Sequence, residues 1–280
     1  MRVIAHLSDL HFGRVDPATL PALQGALISA SPDVLVVSGD LTQRARRREF
    51  EAARRFLDSL PFPRVVVPGN HDIPLYDVIA RARAPFGAYR SGFANELEPL
   101  FLDQEIAVLG INTTRALTFK NGRINMLQVE RSCARLEDCG SAVTRVVVTH
   151  HPFDVPATGG DGDVIGRAGM AMTAFARSRV DLILSGHLHA GHARPSAVRY
   201  HGTGWASLLV QAGTATSTRR RGEVNAFNLI RIDQPLIAVE SVAWSGGVFS
   251  LAGTASFQRG PEGWIGKPPD VGQHAISPLS

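Results

Sequence analysis

Val3-Ile4-Ala5-His6-Leu7-Ser8-Asp9-Leu10-His11 is a short apolar run that ends on an aspartate and a histidine, and the same arrangement returns four more times along the chain. Val34 to Val37 leads into Gly39-Asp40, and Val65 to Val67 into Gly69-Asn70-His71-Asp72. Val146 to Val148 leads into His150-His151-Pro152, and Leu182 to Leu184 into Gly186-His187-Leu188-His189. Short runs rich in β-branched residues and stopped by Gly, Pro or Asn read as buried strands. Chemistry-bearing side chains therefore collect at the ends of several strands, where open α/β sheets place their sites. The donors mix imidazole, carboxylate and one carboxamide oxygen, a set that suits Mn, Fe, Co, Ni or Zn. It is too large for one ion. Two divalent metal ions sharing Asp40 is the economical reading.

Between these runs the pattern turns helical. Leu20, Leu23 and Leu27 recur at helical spacing after Pro17; Phe50, Ala53, Phe56, Leu57 and Leu60 form a stripe ended by Pro61. Met126, Val129, Cys133 and Leu136 precede Gly140, and a further helix is expected from about Ala168 to Arg179. Such β-α-β alternation implies crossover connections and a largely parallel core sheet. After His189 the character changes. Leu208 to Gln211, Val224 to Ile232 and Leu236 to Val242 read as strands joined by short turns, expected to be antiparallel and to complete a second sheet. A tail from about Thr254, rich in Gly, Pro and Ser, is expected to be extended or partly disordered, so that the domain spans residues 1–253.

Composition narrows the class. With 280 residues, 44% hydrophobic and 19% charged, the chain is globular and has no disorder signature. No stretch approaches the roughly 20 apolar residues of a membrane span. Asp9 and His11 follow the N-terminus too closely for a signal peptide, and Cys133 and Cys139 lack metal-ligand spacing, so a cytoplasmic location is expected. The net charge of +4 is almost wholly arginine, since Lys120 and Lys267 are the only lysines. The clusters Arg44, Arg46, Arg47, Arg48 and Arg219, Arg220, Arg221 read first as solvated surface. Aromatic residues do not interleave with them as a single-strand platform needs, so nucleic acid binding has no support in the sequence. The Gly-rich loop from Pro152 to Gly169 is long enough to face a substrate.

In this order, the five blocks resemble the calcineurin-like metallophosphoesterase superfamily, with its pattern D-x-H, G-D, G-N-H-[DE], H and G-H-x-H over residues 3–190. The resemblance implies an α/β fold, a four-layer α-β-β-α sandwich with two mixed β-sheets and a binuclear site at the C-terminal ends of strands. It implies that Asp9, His11 and His189 bind one metal, that Asn70, His150 and His187 bind the other, and that Asp40 bridges. A carboxylate can hold two cations about 3.5–4 Å apart, which a neutral imidazole cannot. His151 is then a supporting or substrate-contacting histidine. His71, equivalent to the family's phosphoryl-stabilising or leaving-group histidine, joins Asp40 as a catalytic candidate; imidazole titrates near neutrality and fits either task. Asp72 reads equally as a turn cap. Asn112, Arg115, His192 and His201 are weaker candidates for the site's edge, and His6 reads as packed.

Within the superfamily the chain most resembles bacterial class III cyclic nucleotide phosphodiesterases and glycerophosphodiesterase-like enzymes, through D-x-H, G-D-L, P-G-N-H-D and H-H-P. The expected activity is therefore metal-dependent hydrolysis of a small phosphodiester substrate. Protein phosphatases of the superfamily carry G-D-x-V-D-R-G, whereas Leu41-Thr42-Gln43 follows Asp40 here. A small metal-dependent nuclease is the alternative enzyme. A scaffold with a vestigial site is the non-enzyme alternative, and the complete donor set speaks against it.

Overall fold

The computed structural model describes residues 1–118, 120–156, 160–218 and 223–268. Strands β1 (Arg2–Leu7), β2 (Val34–Val37) and β3 (Arg64–Val66) lie parallel, joined by helices α1 (Thr19–Ala30) and α2 (Arg47–Asp58). Two short helices, α3 (Val78–Arg83) and α4 (Gly87–Gly92), precede β4 (Leu100–Leu102) and β5 (Ile106–Gly110). Helix α5 (Met126–Glu137), β6 (Thr144–Val148), α6 (Ala168–Arg177) and β7 (Leu182–Ser185) repeat the parallel crossover pattern from β5. The chain closes with β8 (His192–Pro195), β9 (Leu208–Gln211), β10 (Ala226–Asp233), β11 (Leu236–Ser245), β12 (Val248–Gly260) and β13 (Gly263–Lys267).

Two mixed sheets result, ordered β13-β12-β11-β10-β1-β2-β3 and β4-β5-β6-β7-β9-β8. The period-2 alternation of each strand sorts its side chains into layers. Val3, Ala5, Leu7, Leu35 and Val37 face α1 and α2, meeting Leu23, Leu27, Phe50 and Leu57. Ile4, Val34 and Val36 point the other way and pack against Val108, Val146, Val148 and Leu184 of the second sheet. Leu109, Val147 and Ile183 then meet α5 and α6 through Val129, Leu136, Met172 and Phe175. The fold is a four-layer α-β-β-α sandwich. Apolar cover on both faces explains why the core strands read as unbroken runs of Val, Ile and Leu.

One expectation needs correction. The antiparallel strands β10 to β13 do not complete the second sheet; they extend the first beyond β1, with Ile4 opposite Ile230. Only β8 and β9 join the second sheet, β9 parallel to β7. Residues 254–267, expected to be extended or partly disordered, are extended as paired strand, forming most of the β12–β13 pair, where Phe257 and Trp264 are buried between the sheets. Two apolar anchors suffice to hold a stretch otherwise rich in small residues. The remaining tail, 269–280, and Arg219 to Arg221 lie outside the described residues. Among the described residues no helix is long and apolar enough to cross a membrane. Cys133 and Cys139 are both free thiols.

His6 is fully buried on β1, with Nε2 2.9 Å from Ser38 Oγ and no hydrogen-bond partner for Nδ1 among the described residues. Burial pushes its pKa down to about 3, against a smaller upward pull from Asp9. The folded state thus keeps His6 neutral where the unfolded chain, with an ordinary histidine pKa near ~6.5, takes up a proton. Its contribution to stability is complete above that value and is lost as pH falls toward 3. The expected slope is about 1.4 kcal/mol per pH unit for this one group. Urea unfolding from pH 7 to 4 should show a shallower acid slope in His6→Leu than in the parent protein, and parallel slopes would refute the assignment.

Candidate metal centre

Every block singled out in the sequence lies just past the C-terminal end of a parallel strand. Asp9 and His11 follow β1, Asp40 follows β2, Asn70 to Asp72 follow β3, His150 follows β6, and His187 and His189 follow β7. Because the two sheets face each other, loops from both converge on one buried point. Asp9, His11, His150, His187 and His189 are each at most 6% exposed, and Asp40 is 1% exposed.

The local backbone is bent to achieve this. Asp9, His11, Asp40, His187 and His189 all adopt positive φ, between 48° and 76°. A non-glycine residue there costs roughly 1–2 kcal/mol, and such residues cluster at functional sites. Close approach also demands glycine: a Cβ on Gly69 would stand 2.1 Å from Asp40 Oδ1, and one on Gly186 would stand 1.7 Å from Ser8 Oγ.

The polar atoms meet in a way that protein groups alone do not satisfy. A backbone carbonyl can only accept, so the ring nitrogen facing it carries the proton. His150 Nδ1 therefore donates to Ser38 O at 2.8 Å, and His11 Nδ1 to Thr42 O at 3.4 Å. In the neutral form, the form that ligates a metal, each ring then presents a bare Nε2 to the centre. His150 Nε2 faces Asn70 Oδ1 at 3.0 Å and Asp40 Oδ1 at 3.4 Å. His11 Nε2 faces Asp9 Oδ1 at 3.6 Å, Asp40 Oδ2 at 3.8 Å and His189 Nε2 at 3.3 Å. Asp9 Oδ1 is buried without a well-formed hydrogen bond, with His189 Nε2 3.1 Å away. Acceptors converging on acceptors make a donor set suited to a cation, and backbone carbonyls behind the histidines are the usual support for metal-binding rings.

Charge states agree. Burial opposes ionisation of Asp9 and Asp40, yet the surrounding histidines hold both carboxyls below the usual carboxylate range. Burial, with His151 and His150 nearby, holds the His187 imidazole well below its ordinary pKa and so neutral. The groups Asp9-His11-His189 and Asp9-Asp40-His150 each bring their ligand atoms within 4.8 Å of one another. The residues present fit divalent cations.

His151 also lies within that distance of His150 and His187. Both of its ring nitrogens are engaged, Nδ1 with Thr113 Oγ1 at 2.9 Å and Nε2 with Lys120 O at 3.0 Å. Burial first, then His150, holds it neutral. Its ring packs against His150 and His187 with centroids 4.8 Å from each, so it buttresses the two rings. His71 is half-buried at the edge of the centre, its Nδ1 2.9 Å from Gln43 O and its backbone N–H donating to Asp40 Oδ1 at 2.8 Å.

Asp72 has a larger role than a turn cap. Its carboxylate accepts from Gly69 N, Leu41 N, Thr42 N and Thr42 Oγ1, all within 3.1 Å, and so ties the Asn70 loop to the Asp40 loop. Burial and the neighbouring Asp40 push its pKa up to about 6, against the pull of the three backbone N–H groups. Arg115 is turned inward, donating to Asn112 O, Thr114 O and Gln128 Oε1. Asn112 Oδ1 caps Thr114 N.

Sequence reasoning missed several supports. Ser8 Oγ donates to Asp9 Oδ2 at 2.6 Å, and Thr214 Oγ1 and Thr216 Oγ1 donate to Asp9 O and Leu10 O, both at 2.8 Å. It also missed Asp154, a buried carboxylate that accepts a two-pronged hydrogen bond from Arg194 and lies 3.4 Å from His192 Nε2. Burial alone would raise the Asp154 pKa, but His192 and Arg194 hold it well below the carboxylate range. This pair fastens the start of the Pro152–Gly169 loop to β8.

Comparison with known proteins gives the same picture. A family model described as calcineurin-like phosphoesterase matches residues 2–191. A probable cyclic nucleotide phosphodiesterase of Synechococcus sp. is 28% identical over 197 residues, covering 66% of this chain and 72% of that protein. Glycerophosphodiester phosphodiesterase GpdQ of Enterobacter lignolyticus is 35% identical over 83 residues, 25% of this chain and 29% of that one. Among solved structures, a dimetal phosphatase from Danio rerio superposes with a TM-score of 0.63 at 11% identity, over 86% of this chain and 96% of its own, a likeness of fold. With its five motif blocks converging on a site fit for divalent cations, the chain belongs to the calcineurin-like phosphoesterase family, whose chemistry is metal-dependent hydrolysis of phosphoesters.

Proposed function

We propose that this protein is a phosphodiesterase acting on a small diester of the cyclic nucleotide or glycerophosphodiester kind. The observation that carries the reading is the placement of Asp40, whose two carboxylate oxygens face two different histidines, Oδ1 toward His150 and Oδ2 toward His11. On that basis Asp9, His11 and His189 would hold one ion and Asn70, His150 and His187 the other, with Asp40 between them. When bound, two such cations activate water as the nucleophile and offset charge on the phosphoryl oxygens. The chain's own residues do the rest. Carbonyls of Ser38 and Thr42 fix the ring faces, Asp72 fixes the two loops, and His71 stands beside Asp40 to protonate the departing oxygen. Since Gln43 O holds Nδ1, the proton leaves from Nε2.

A diester is favoured over a monoester by the Pro68-Gly69-Asn70-His71-Asp72 block and by the phosphodiesterase names of the similar proteins. The catalytic unit in this proposal runs past residue 253, since that position lies inside β12. The test is turnover by metal-reconstituted protein of bis-p-nitrophenyl phosphate, p-nitrophenyl phosphate, cyclic AMP, glycerophosphoethanolamine and single-stranded DNA. Higher kcat/KM for the bis ester than for the monoester is expected. The reverse order would end the diesterase reading, and preference for DNA would replace it with a nuclease.

A further inference from the structure

Two loops leave the metal centre side by side, one after the Asn70–Asp72 turn and one after β5. Arg81 of α3 clamps them together. Its guanidinium, on a residue only 4% exposed, donates from Nε to Ala116 O at 2.6 Å, from Nη1 to Pro74 O at 2.8 Å and from Nη2 to Thr118 O at 2.7 Å. The clamped loops and the start of α3 carry large apolar side chains in solvent: Tyr76 is 75% exposed, Val78 and Ile79 are 68%, and Leu117 is 93%. Scattered exposed apolar residues need no explanation, but a cluster assembled by a buried arginine beside a site does.

Tyr76 is the planar member of this rim. Arg44 lies against it, with Cζ 5.0 Å from the ring centroid and Nη1 donating to the phenolic oxygen. Arg44 directly follows Gln43, whose carbonyl holds His71. Arg44 therefore roots the pair one residue from the carbonyl that holds His71, the group that in the reading above protonates the departing oxygen. An exposed aromatic ring steadied by a guanidinium is the arrangement on which a nucleobase stacks.

We propose that Tyr76, held by Arg44, is a stacking platform for the base of a nucleotide substrate and selects nucleotide diesters over glycerol-based ones. This rests on the small-phosphodiester reading above. Stacking reads the π-face of the base and not its edges, so adenine and guanine nucleotides should bind alike.

Calorimetric titration of the Mn-loaded protein with 5′-AMP and with ribose 5-phosphate isolates the base. AMP should bind about tenfold more tightly, a factor within the range that one stacked base contributes. Tyr76→Ala should bring the two affinities together by weakening AMP alone, while Tyr76→Trp should keep the difference. Equal affinities in the parent protein, or a difference that survives Tyr76→Ala, would overturn the platform. Turnover of bis-p-nitrophenyl phosphate by the same preparations is read separately: its absence would remove the phosphodiesterase reading and leave the binding result intact.

Discussion

Replacing Asp40 with alanine is expected to cost the protein at least one bound ion and to lower kcat/KM by roughly 10³–10⁴-fold. The magnitude follows from the several kcal/mol of charge stabilisation that a metal pair supplies, at tenfold per about 1.4 kcal/mol. Asp40 is the group whose two oxygens face both halves of the centre, and its Oδ1 also accepts the His71 backbone N–H. In the proposed centre its loss would loosen both ions and the loop that carries His71. Metal content measured on the folded variant decides the matter. Two tightly held ions in Asp40→Ala would show that this carboxylate does not bridge, and near-parent activity with one ion would show that a pair is not required.

Alanine at His71 should leave both ions in place, because the proposed ligand set is complete without it, while kcat falls by about 10²–10⁴-fold, the usual worth of general acid catalysis. The deficit should shrink for p-nitrophenol as leaving group, which departs with little protonation, and grow for alkyl alcohols. A role in holding the phosphoryl group would give one loss for every leaving group. Equal losses across such a series would remove the acid role, and a missing ion in His71→Ala would remove the whole assignment.

Much of the site was legible because its chemistry is carried by side-chain identity at short range. Asp9-Leu10-His11, Gly69-Asn70-His71 and His187-Leu188-His189 each follow a short β-branched apolar run that reads as a buried strand, so donors and strand ends coincide in the sequence itself. The core strands and the longer helices α1, α2, α5 and α6 declared themselves in the same way, through periodicity sustained over a dozen residues or through flanking turn residues. The short elements did not. Helices α3 and α4 have six residues each, and β4 has three, too few for a period to show.

By itself the sequence determined which residues would gather, the alternation of strands and helices, and the kind of ion the donors suit. It did so because hydrophobic period and ligand chemistry are local properties. The tertiary structure alone decided which sheet β10 to β13 would join, since edge pairing of β10 with β1 links residues some 230 positions apart through backbone hydrogen bonds that carry no side-chain signature. It alone decided which ring nitrogen of His11, His150 and His71 is held, because the partners are the carbonyls of Thr42, Ser38 and Gln43, and every residue has a carbonyl. It alone placed Asp72 between two loops, fastened Asp154 to Arg194, and set Arg44 against Tyr76. Each of these depends on a distance between segments far apart in the chain, and only the packing of the two sheets fixes such distances.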